Sequence, residues 1–177
     1  MGALVVLGII LVVLIGGWAI STHNSFVRRV NLVKESWRQV DVEMRRRYDL
    51  IPNLVQVVEA YAQYERSLLM SLTAARSEAM ATQPIARRAM AEDQLGLAVR
   101  GVLVQAEAYP QLAASQQFLA LQQELVNTED RIAAGRRFYN GNVRALNTAL
   151  ESFPSQIIGS MMNIAPAEYF EAQLPSA

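Results

Sequence analysis

The chain has 177 residues, a formal net charge of zero and no cysteine. Without cysteine it can form neither a disulfide nor a thiolate metal site, a composition that fits a reducing compartment. The balanced charge argues against a nucleic-acid binder, because such proteins carry an excess of Lys and Arg. The length is sufficient for one domain with a buried core in addition to an apolar N-terminal stretch.

The first element is the apolar stretch from Gly2 to Ile20, which contains no charged side chain. A helix rises about 1.5 Å per residue, so this stretch would span roughly 28 Å, close to the ~30 Å hydrocarbon core of a bilayer. The run is long for the apolar region of a signal peptide, and it ends in Gly16-Gly17-Trp18 rather than in a small-residue cleavage site. We therefore predict an uncleaved transmembrane anchor over residues 1–22, with a cleaved signal peptide as the alternative.

The apolar stretch is followed by the basic side chains Arg28, Arg29, Lys34 and Arg38, and no Lys or Arg precedes it. The positive-inside rule places this flank in the cytoplasm, so we expect the N-terminus outside the cell and the remaining chain inside. Residues 23–48 carry seven basic side chains against three acidic ones. The membrane topology and a solvated helix face are sufficient to explain this excess of basic residues. The alternative is that Arg28, Arg29 and Lys34 contact anionic lipid headgroups.

Apolar residues spaced alternately by four and three positions predict a long amphipathic helix after the anchor. This heptad seam consists of Phe26, Val30, Val33, Trp37, Val40 and Met44. One extra step of four, a stutter, then continues the seam through Tyr48, Ile51, Val55, Val58, Ala62, Glu65, Leu69 and Leu72. Because no glycine lies between Gly17 and Gly96, we expect the anchor helix to continue into this helix without a loop. The seam also predicts a buried Trp37.

Pro52 interrupts this pattern, because it has no N–H and its ring clashes with the carbonyl of Tyr48. The flanking Leu50 and Ile51 are poor loop residues, which favours a kinked but continuous helix. The alternative is a turn that makes residues 53–78 a separate helix.

Three further breaks divide the remaining chain. Residues 77–84 are small and polar and predict a turn, with Pro84 in the first turn of the next helix. That helix ends at Pro110, and the last long helix, whose seam includes Leu125, ends at Pro154. No segment shows the alternation of a strand, so the fold class is all-α.

A short amphipathic piece follows the last long helix. Its apolar residues are Phe153, Ile157, Ile158, Met161 and Met162. This piece either covers the open end of the helical body or docks on a partner, since Met-rich faces adapt to varied surfaces.

The sequence contains few of the groups that catalysis or metal binding requires. A di-iron bundle needs two Glu-x-x-His motifs, whereas His23 is the single histidine and lies beside the anchor. There is also no P-loop, no G-x-G-x-x-G, no G-x-S-x-G and no H-E-x-x-H. We therefore expect no enzymatic activity, no cofactor, no metal and no small-molecule substrate.

Polar residues on the predicted seams are candidates for a buried polar core. Glu65 takes an apolar position on the first seam, and Thr128 and Asn142 do the same on the last helix. A buried carboxylate must be paired, and we expect Glu65 to pair with an arginine of the last helix, either Arg136 or Arg131. Such a pair would fix helix register, and the alternative is a proton or ligand site.

Three stretches of the chain carry a family resemblance. Residues 24–65, residues 109–147 and the C-terminal pieces FPSQII and AEYFE occur in the order and spacing of the LemA family of bacterial membrane proteins, which the chain resembles. The most specific pieces are DLIPNLV at 49–55, Thr128-Glu129, Phe138-Tyr139-Asn140 and Tyr169-Phe170-Glu171.

The resemblance implies a single-pass protein of the bacterial inner membrane whose cytoplasmic part is an antiparallel helical bundle of the four-helix, up-and-down type. On this basis we expect an anchor over 1–22, a bundle over 23–165 and a C-terminal tail over 166–177. The resemblance implies no catalytic or ligand residue.

The chain departs from the family pattern at three places. His23 replaces a usual Tyr, Tyr64 replaces a usual His, and Asn163-Ile164 replaces Gly-Phe. A role that depends on histidine is therefore not expected at position 64. Since Asn tolerates the left-handed conformation, we expect the turn at Asn163 to persist.

These observations leave three hypotheses of function. The first is a non-enzymatic interaction or scaffold module that presents a helical face to a partner protein or to copies of itself. The second is a self-assembling, membrane-shaping protein whose Arg-rich segment next to the membrane engages lipids. The third is an enzyme or a small-ligand carrier with a polar pocket.

Overall fold

A computed structural model describes residues 1–60 and 66–171, and every regular element within these ranges is a helix. The helices are α1 (Gly2–Glu59), α2 (Arg66–Ala81), α3 (Ile85–Ala106), α4 (Pro110–Ala113), α5 (Gln116–Glu151) and α6 (Ser155–Met161). The predicted all-α class is confirmed. The predicted turn at 77–84 begins later, because α2 continues to Ala81, and Pro110 begins the short helix α4, with α5 following at Gln116.

Helix α1 joins the apolar stretch to the amphipathic seam without interruption. It is 58 residues long and contains Pro52, so the expected loop-free continuation and the continuous helix through Pro52 are confirmed. Its apolar N-terminal part has the length and hydropathy of a membrane span, and that part buries nothing against the protein.

The chain forms two compact units. One comprises Met1–Ser36 with Asn140–Ala167, and the other comprises Trp37–Tyr139 with Glu168–Ala177. We call them the terminal unit and the central unit, respectively. Helices α1 and α5 contribute residues to both. The predicted division into anchor, bundle and tail describes which parts of the chain lie in the membrane and which in the cytoplasm. That division stays a prediction.

In the terminal unit, α6 packs closely against α1 and α5. A Cβ on the buried Gly159 would lie 2.7 Å from Leu150 Cδ2 and 3.2 Å from Phe26 Cζ, so glycine permits this approach. The segment after α6 is fixed by Asn147, whose amide donates to Ala167 O (3.0 Å) and accepts from Ala167 N–H (2.9 Å).

Helix α6 ends at a left-handed residue, as expected. Asn163 has φ 50°, and its N–H donates to Ser160 O while the next N–H, of Ile164, donates to Gly159 O. This pair of bonds is the Schellman arrangement, in which Gly or Asn supplies the positive φ that other side chains disfavour.

The core of the central unit draws on every helix with residues in it. Its most deeply buried apolar residues are Val40, Met44, Ile51, Leu54, Val58, Leu72, Ala89, Leu95, Val99, Val102, Ala106, Leu112, Leu125 and Phe170. Helices α1 and α5 approach closely at Gly135, where a Cβ would lie 2.9 Å from Val40 Cγ2.

Trp37 is half-buried rather than fully buried as the seam predicted. Its ring lies between Tyr139 and Phe170, at centroid distances of 5.3 and 5.2 Å. The remaining face is partly covered by the guanidinium of Arg88, 5.6 Å from the ring centroid. A guanidinium at this distance is attracted to the electron-rich face of the indole.

The predicted stutter after Met44 is wrong at Val55, which is only half-buried, whereas its positions Tyr48, Ile51 and Val58 are buried. Unbroken heptad phase also reaches buried positions, at Arg47 and Leu54. The buried face of α1 is therefore broader here than a single seam.

The seam predicted from Tyr48 to Leu72 on a single helix is also wrong, because the chain reverses between α1 and α2. Arg76 Nε on α2 donates to Tyr48 O at 2.7 Å. On one straight helix these residues would be about 42 Å apart. Pro52 has no N–H to donate to the Tyr48 carbonyl four residues earlier, so Arg76 supplies the bond that the proline removes.

We predict that the cost of removing the Arg76 guanidinium depends on Pro52. Arg76→Met leaves the Tyr48 carbonyl without its donor and should lower the free energy of unfolding by about 1–3 kcal/mol. In a Pro52→Ala background the restored N–H can donate to that carbonyl, so the same substitution should cost markedly less. Chemical denaturation of the four proteins measures this difference.

Arg87→Met is the matched control, since Arg87 is exposed on α3. It should change stability by less than about 0.5 kcal/mol. An equal cost of Arg76→Met in both backgrounds would contradict the assignment of Arg76 as the replacement donor.

Candidate functional site

The most unusual side chain in the central unit is a fully buried arginine. Arg47 is 1% exposed, and its guanidinium donates through Nη2 to the Glu92 carboxylate and through Nη1 to the Glu129 carboxylate. Arg47 comes from α1, Glu92 from α3 and Glu129 from α5. One cation therefore links three helices, and we call this group with Tyr48 and Arg88 the buried ion cluster.

Glu92 is the anionic centre of the cluster and is 2% exposed. In addition to Arg47, its carboxylate accepts a hydrogen bond from the Tyr48 hydroxyl and lies 3.8 Å from Arg88 Nε. Arg88 also donates to Asp41, at 2.7 Å. Each buried charge thus has at least one partner of opposite sign, as a low-dielectric interior requires.

Tyr48 is held in its neutral form. Burial and the hydrogen bond to Glu92 raise the pKa of the Tyr48 hydroxyl to about 12, although Arg88 acts in the opposite direction. The hydroxyl therefore stays protonated at neutral pH and donates to Glu92. Burial likewise raises the pKa of Tyr139 to about 12, and that hydroxyl donates to the Glu168 carbonyl at 2.8 Å.

A cleft of about 300 Å³ opens beside the cluster. It is lined by Arg47, Glu92, Asp93, Gly96, Arg100, Glu129, Ile132, Ala133, Arg136 and Arg137. Guanidinium groups do not release protons, so the arginines can bind anions but cannot act as bases. In residues 1–60 and 66–171 no group of three His, Cys, Asp or Glu side chains is placed to hold a metal ion. The expectation that the chain needs no metal or cofactor stays a prediction.

Of the predicted polar-core residues, the structure describes Thr128, Asn142 and Arg136. Thr128 is buried, and its hydroxyl donates to the Glu124 carbonyl of its own helix at 2.7 Å. Asn142 belongs to the terminal unit and has a buried Nδ2 without a hydrogen-bond partner. Glu65 lies outside the described residues, so its predicted pairing is not observed.

Each of the two arginines proposed as partners of Glu65 has a carboxylate partner among the described residues. Arg136 binds Asp93 at 2.8 Å and lies 4.7 Å from the Phe170 ring centroid, while Arg131 lies 3.4 Å from Glu43. The pairing with Glu65 stays a prediction.

The predicted lipid-facing residues all lie in the terminal unit. Arg28 and Lys34 are exposed, whereas Arg29 is half-buried and donates to the Ala145 carbonyl at 3.0 Å. Their contact with lipid stays a prediction.

The sequence did contain a signal for the residues that were missed. Extending the α1 seam in heptad phase from Met44 reaches Arg47, and extending the α3 seam backwards from Leu95 by three and then four reaches Glu92 and Arg88. When a basic residue lies at a core position of one helix seam and an acidic residue lies at a core position of another, the pattern indicates a buried ion pair.

We predict a large coupling energy between Arg47 and Glu92. Arg47→Met leaves the buried Glu92 without its closest cation and should cost about 3–5 kcal/mol. Glu92→Gln keeps an acceptor for Tyr48 but removes the charge, so the double variant should lose less than the sum of the single variants. Urea unfolding of the full cycle measures the coupling.

The Arg131–Glu43 pair provides the control, because Arg131 is largely exposed. Arg131→Met should cost less than about 1 kcal/mol. Additive losses at Arg47 and Glu92 would contradict a direct interaction between them.

The sequence model of the LemA family matches residues 36–177. A curated relative, Protein LemA of Metamycoplasma hominis, is 23% identical over 159 residues, which cover 86% of this chain and 70% of that protein.

Proposed function

Since this chain belongs to the LemA family, we propose that it is a single-pass protein of the bacterial inner membrane that presents a non-enzymatic helical interaction module to the cytoplasm. The observation that supports the anchor is α1 itself. Its apolar N-terminal part is exposed, and the same helix later contributes Val40, Met44 and Ile51 to a core. Exposed Leu, Val and Ile side chains at this density are stable in lipid rather than in water.

The proposed module is a four-helix, up-and-down bundle made of the central parts of α1, α2, α3 and α5. In the contacts between α1 and α5, Trp37 meets Tyr139, Val40 meets Gly135, and Arg46 meets Glu124. The numbering rises along α1 as it falls along α5, which supports an antiparallel pair. The contacts of α3 with α1 rise together, from Arg88–Asp41 to Glu92–Arg47, and this supports a parallel diagonal pair.

The pairing of Glu92 within the buried ion cluster supports a non-enzymatic role. Glu92 is engaged by Arg47, Tyr48 and Arg88, and the raised pKa of Tyr48 keeps that hydroxyl from acting as a base. A general acid or base needs a pKa near the working pH and access to substrate. A fixed register between helices is the role that this cluster fits best.

The observation that carries the interaction role is an apolar stripe on the outer face of α3. Met90, Leu97 and Val104 are spaced by seven residues, and all three are exposed. Charged side chains of both signs lie one turn from stripe residues: Arg87, Arg100, Asp93 and Glu107. Apolar residues at heptad spacing with charged neighbours fit the apolar face of an amphipathic helix, which is the partner we propose.

The topology predicts the labelling of two cysteines in this cysteine-free chain. Gly2→Cys should react with a membrane-impermeant maleimide in intact cells. Ser77→Cys, at an exposed position of α2, should react only after lysis. Reaction of Ser77→Cys in intact cells would overturn the cytoplasmic orientation, and release of the protein from membranes by alkaline carbonate would overturn the anchor.

The stripe predicts which substitutions release the partner. After gentle detergent extraction, Leu97→Glu should lose the stoichiometric partner that the unaltered protein retains. Val42→Glu, which also charges an exposed apolar position, should retain it. Both variants are at solvent-exposed positions and should keep the same thermal midpoint.

The same extraction tests the alternative, a self-assembling and membrane-shaping protein. Large homo-assemblies that Leu97→Glu dissolves would favour that alternative over a protein partner. A co-purified small molecule would instead favour the ligand-carrier hypothesis. Equal retention of the partner by Leu97→Glu would contradict the stripe as the binding face.

A further inference from the structure

The terminal unit contains two long segments that lack charged side chains. The sixteen residues from Ser152 to Ala167 contain no Asp, Glu, Lys, Arg or His. The chain before Arg28 contains no Asp, Glu, Lys or Arg, and this extends about two turns of α1 beyond Ile20. In a chain with 18% charged residues, the absence of charge from both segments indicates a common environment in which charge is costly.

The structure places these two segments side by side. Gly159 of α6 lies against Phe26 of α1. A groove of about 660 Å³ is lined by the α1 residues Ala19, Ile20 and His23 together with Ile158, Met161 and Met162. Helix α6 therefore lies beside the C-terminal end of the apolar stretch of α1.

Helix α6 also exposes large apolar side chains at this position. Phe153 is 77% exposed, Ile157 48% and Met161 75%. Ile157 and Met161 are spaced by four residues on α6 and therefore share a face of that helix, away from Gly159, which packs against Leu150 and Phe26. Phe153 lies just before α6. We call these three residues the α6 stripe.

We propose that the α6 stripe inserts into the boundary between headgroups and acyl chains of the same bilayer that α1 crosses. The inference rests on the proposed anchor, because only the anchor places α6 at the membrane surface. Insertion removes apolar surface from water, and the absence of charge in residues 152–167 means that no ion must be desolvated. Trp18 and Arg28 flank this part of α1 in the sequence, and aromatic rings and long cationic side chains are typical of the headgroup region.

A bilayer is the occupant that the position selects. The stripe adjoins a segment that would already be surrounded by lipid, so contact with lipid continues an existing interface rather than requiring a new partner. A binding surface for a soluble protein would be expected to carry a polar rim with some charge, and none is present between Glu151 and Glu168.

Single cysteines with an environment-sensitive fluorophore test this proposal on the full-length chain. The protein is reconstituted into vesicles of phosphatidylcholine and phosphatidylglycerol, with and without nitroxide-labelled lipid. The probes are Phe153→Cys, Ile157→Cys and Met161→Cys, all at exposed positions. Val12→Cys reports the anchor, and Leu97→Cys on α3 is the matched control for an exposed apolar position. Unchanged thermal unfolding shows that each labelled protein is folded.

The expected result is blue-shifted emission at the three α6-stripe positions and at Val12, with loss of most of that emission when nitroxide lipid is present. Emission at Leu97 should resemble that in water and should not be quenched. Since three positions report independently, a single variant that fails to fold leaves two readouts.

Three other outcomes would overturn the proposal. If Val12 is quenched while the α6 stripe emits as in water, the anchor stands and the stripe does not insert. If the stripe is blue-shifted but unquenched, and the shift grows with the protein-to-lipid ratio, a second copy covers it. If Val12 is not quenched either, both the anchor and the insertion of α6 are wrong.

Discussion

The ion pair between Arg47 and Glu92 is the constraint on which the packing of the central unit depends. A buried guanidinium is unfavourable unless carboxylates surround it, and here one carboxylate comes from α3 and another, Glu129, from α5. A shift of α1 by one turn relative to α3 would leave both charges desolvated and unpaired. An apolar core of Leu and Val tolerates such shifts at lower cost, so the buried ion cluster favours a single register among three helices.

Two backbone features depend on the same register. Gly135 lets α5 approach Val40 on α1, and a larger residue would separate the helices. The carbonyl freed by Pro52 is on Tyr48, whose side chain is part of the buried ion cluster and whose backbone receives Arg76 from α2. Tyr48 of α1 thus contacts both α2, through its backbone carbonyl, and the paired charges of α3, through its hydroxyl. An internal proline and buried charges are both unfavourable in a helix, and here long-range contacts compensate for them.

The amino-acid sequence indicated much of the fold because periodicity is a local property. The seam around Val40 and Met44, the end of the last helix before Pro154 and the left-handed Asn163 were all correctly predicted. The buried ion cluster was missed because its pairing joins residues 45 and 82 positions apart, and apolar patterning treats Arg47 as a surface residue. Because a stutter was assumed after Met44, the predicted seam skipped Arg47, which unbroken heptad phase would have placed in the core.

Charge also separates the two surfaces to which we assign roles. The stripe of Met90, Leu97 and Val104 on α3 lies among charged side chains of both signs, which would keep this surface soluble and suit the amphipathic helix that we propose as its partner. The α6 stripe lies in a segment without charge, which would make it a site of aggregation in water but a favourable contact in the headgroup layer. We therefore propose different partners for exposed apolar residues of similar size, and the presence or absence of charged side chains near them in the sequence is the basis of that distinction.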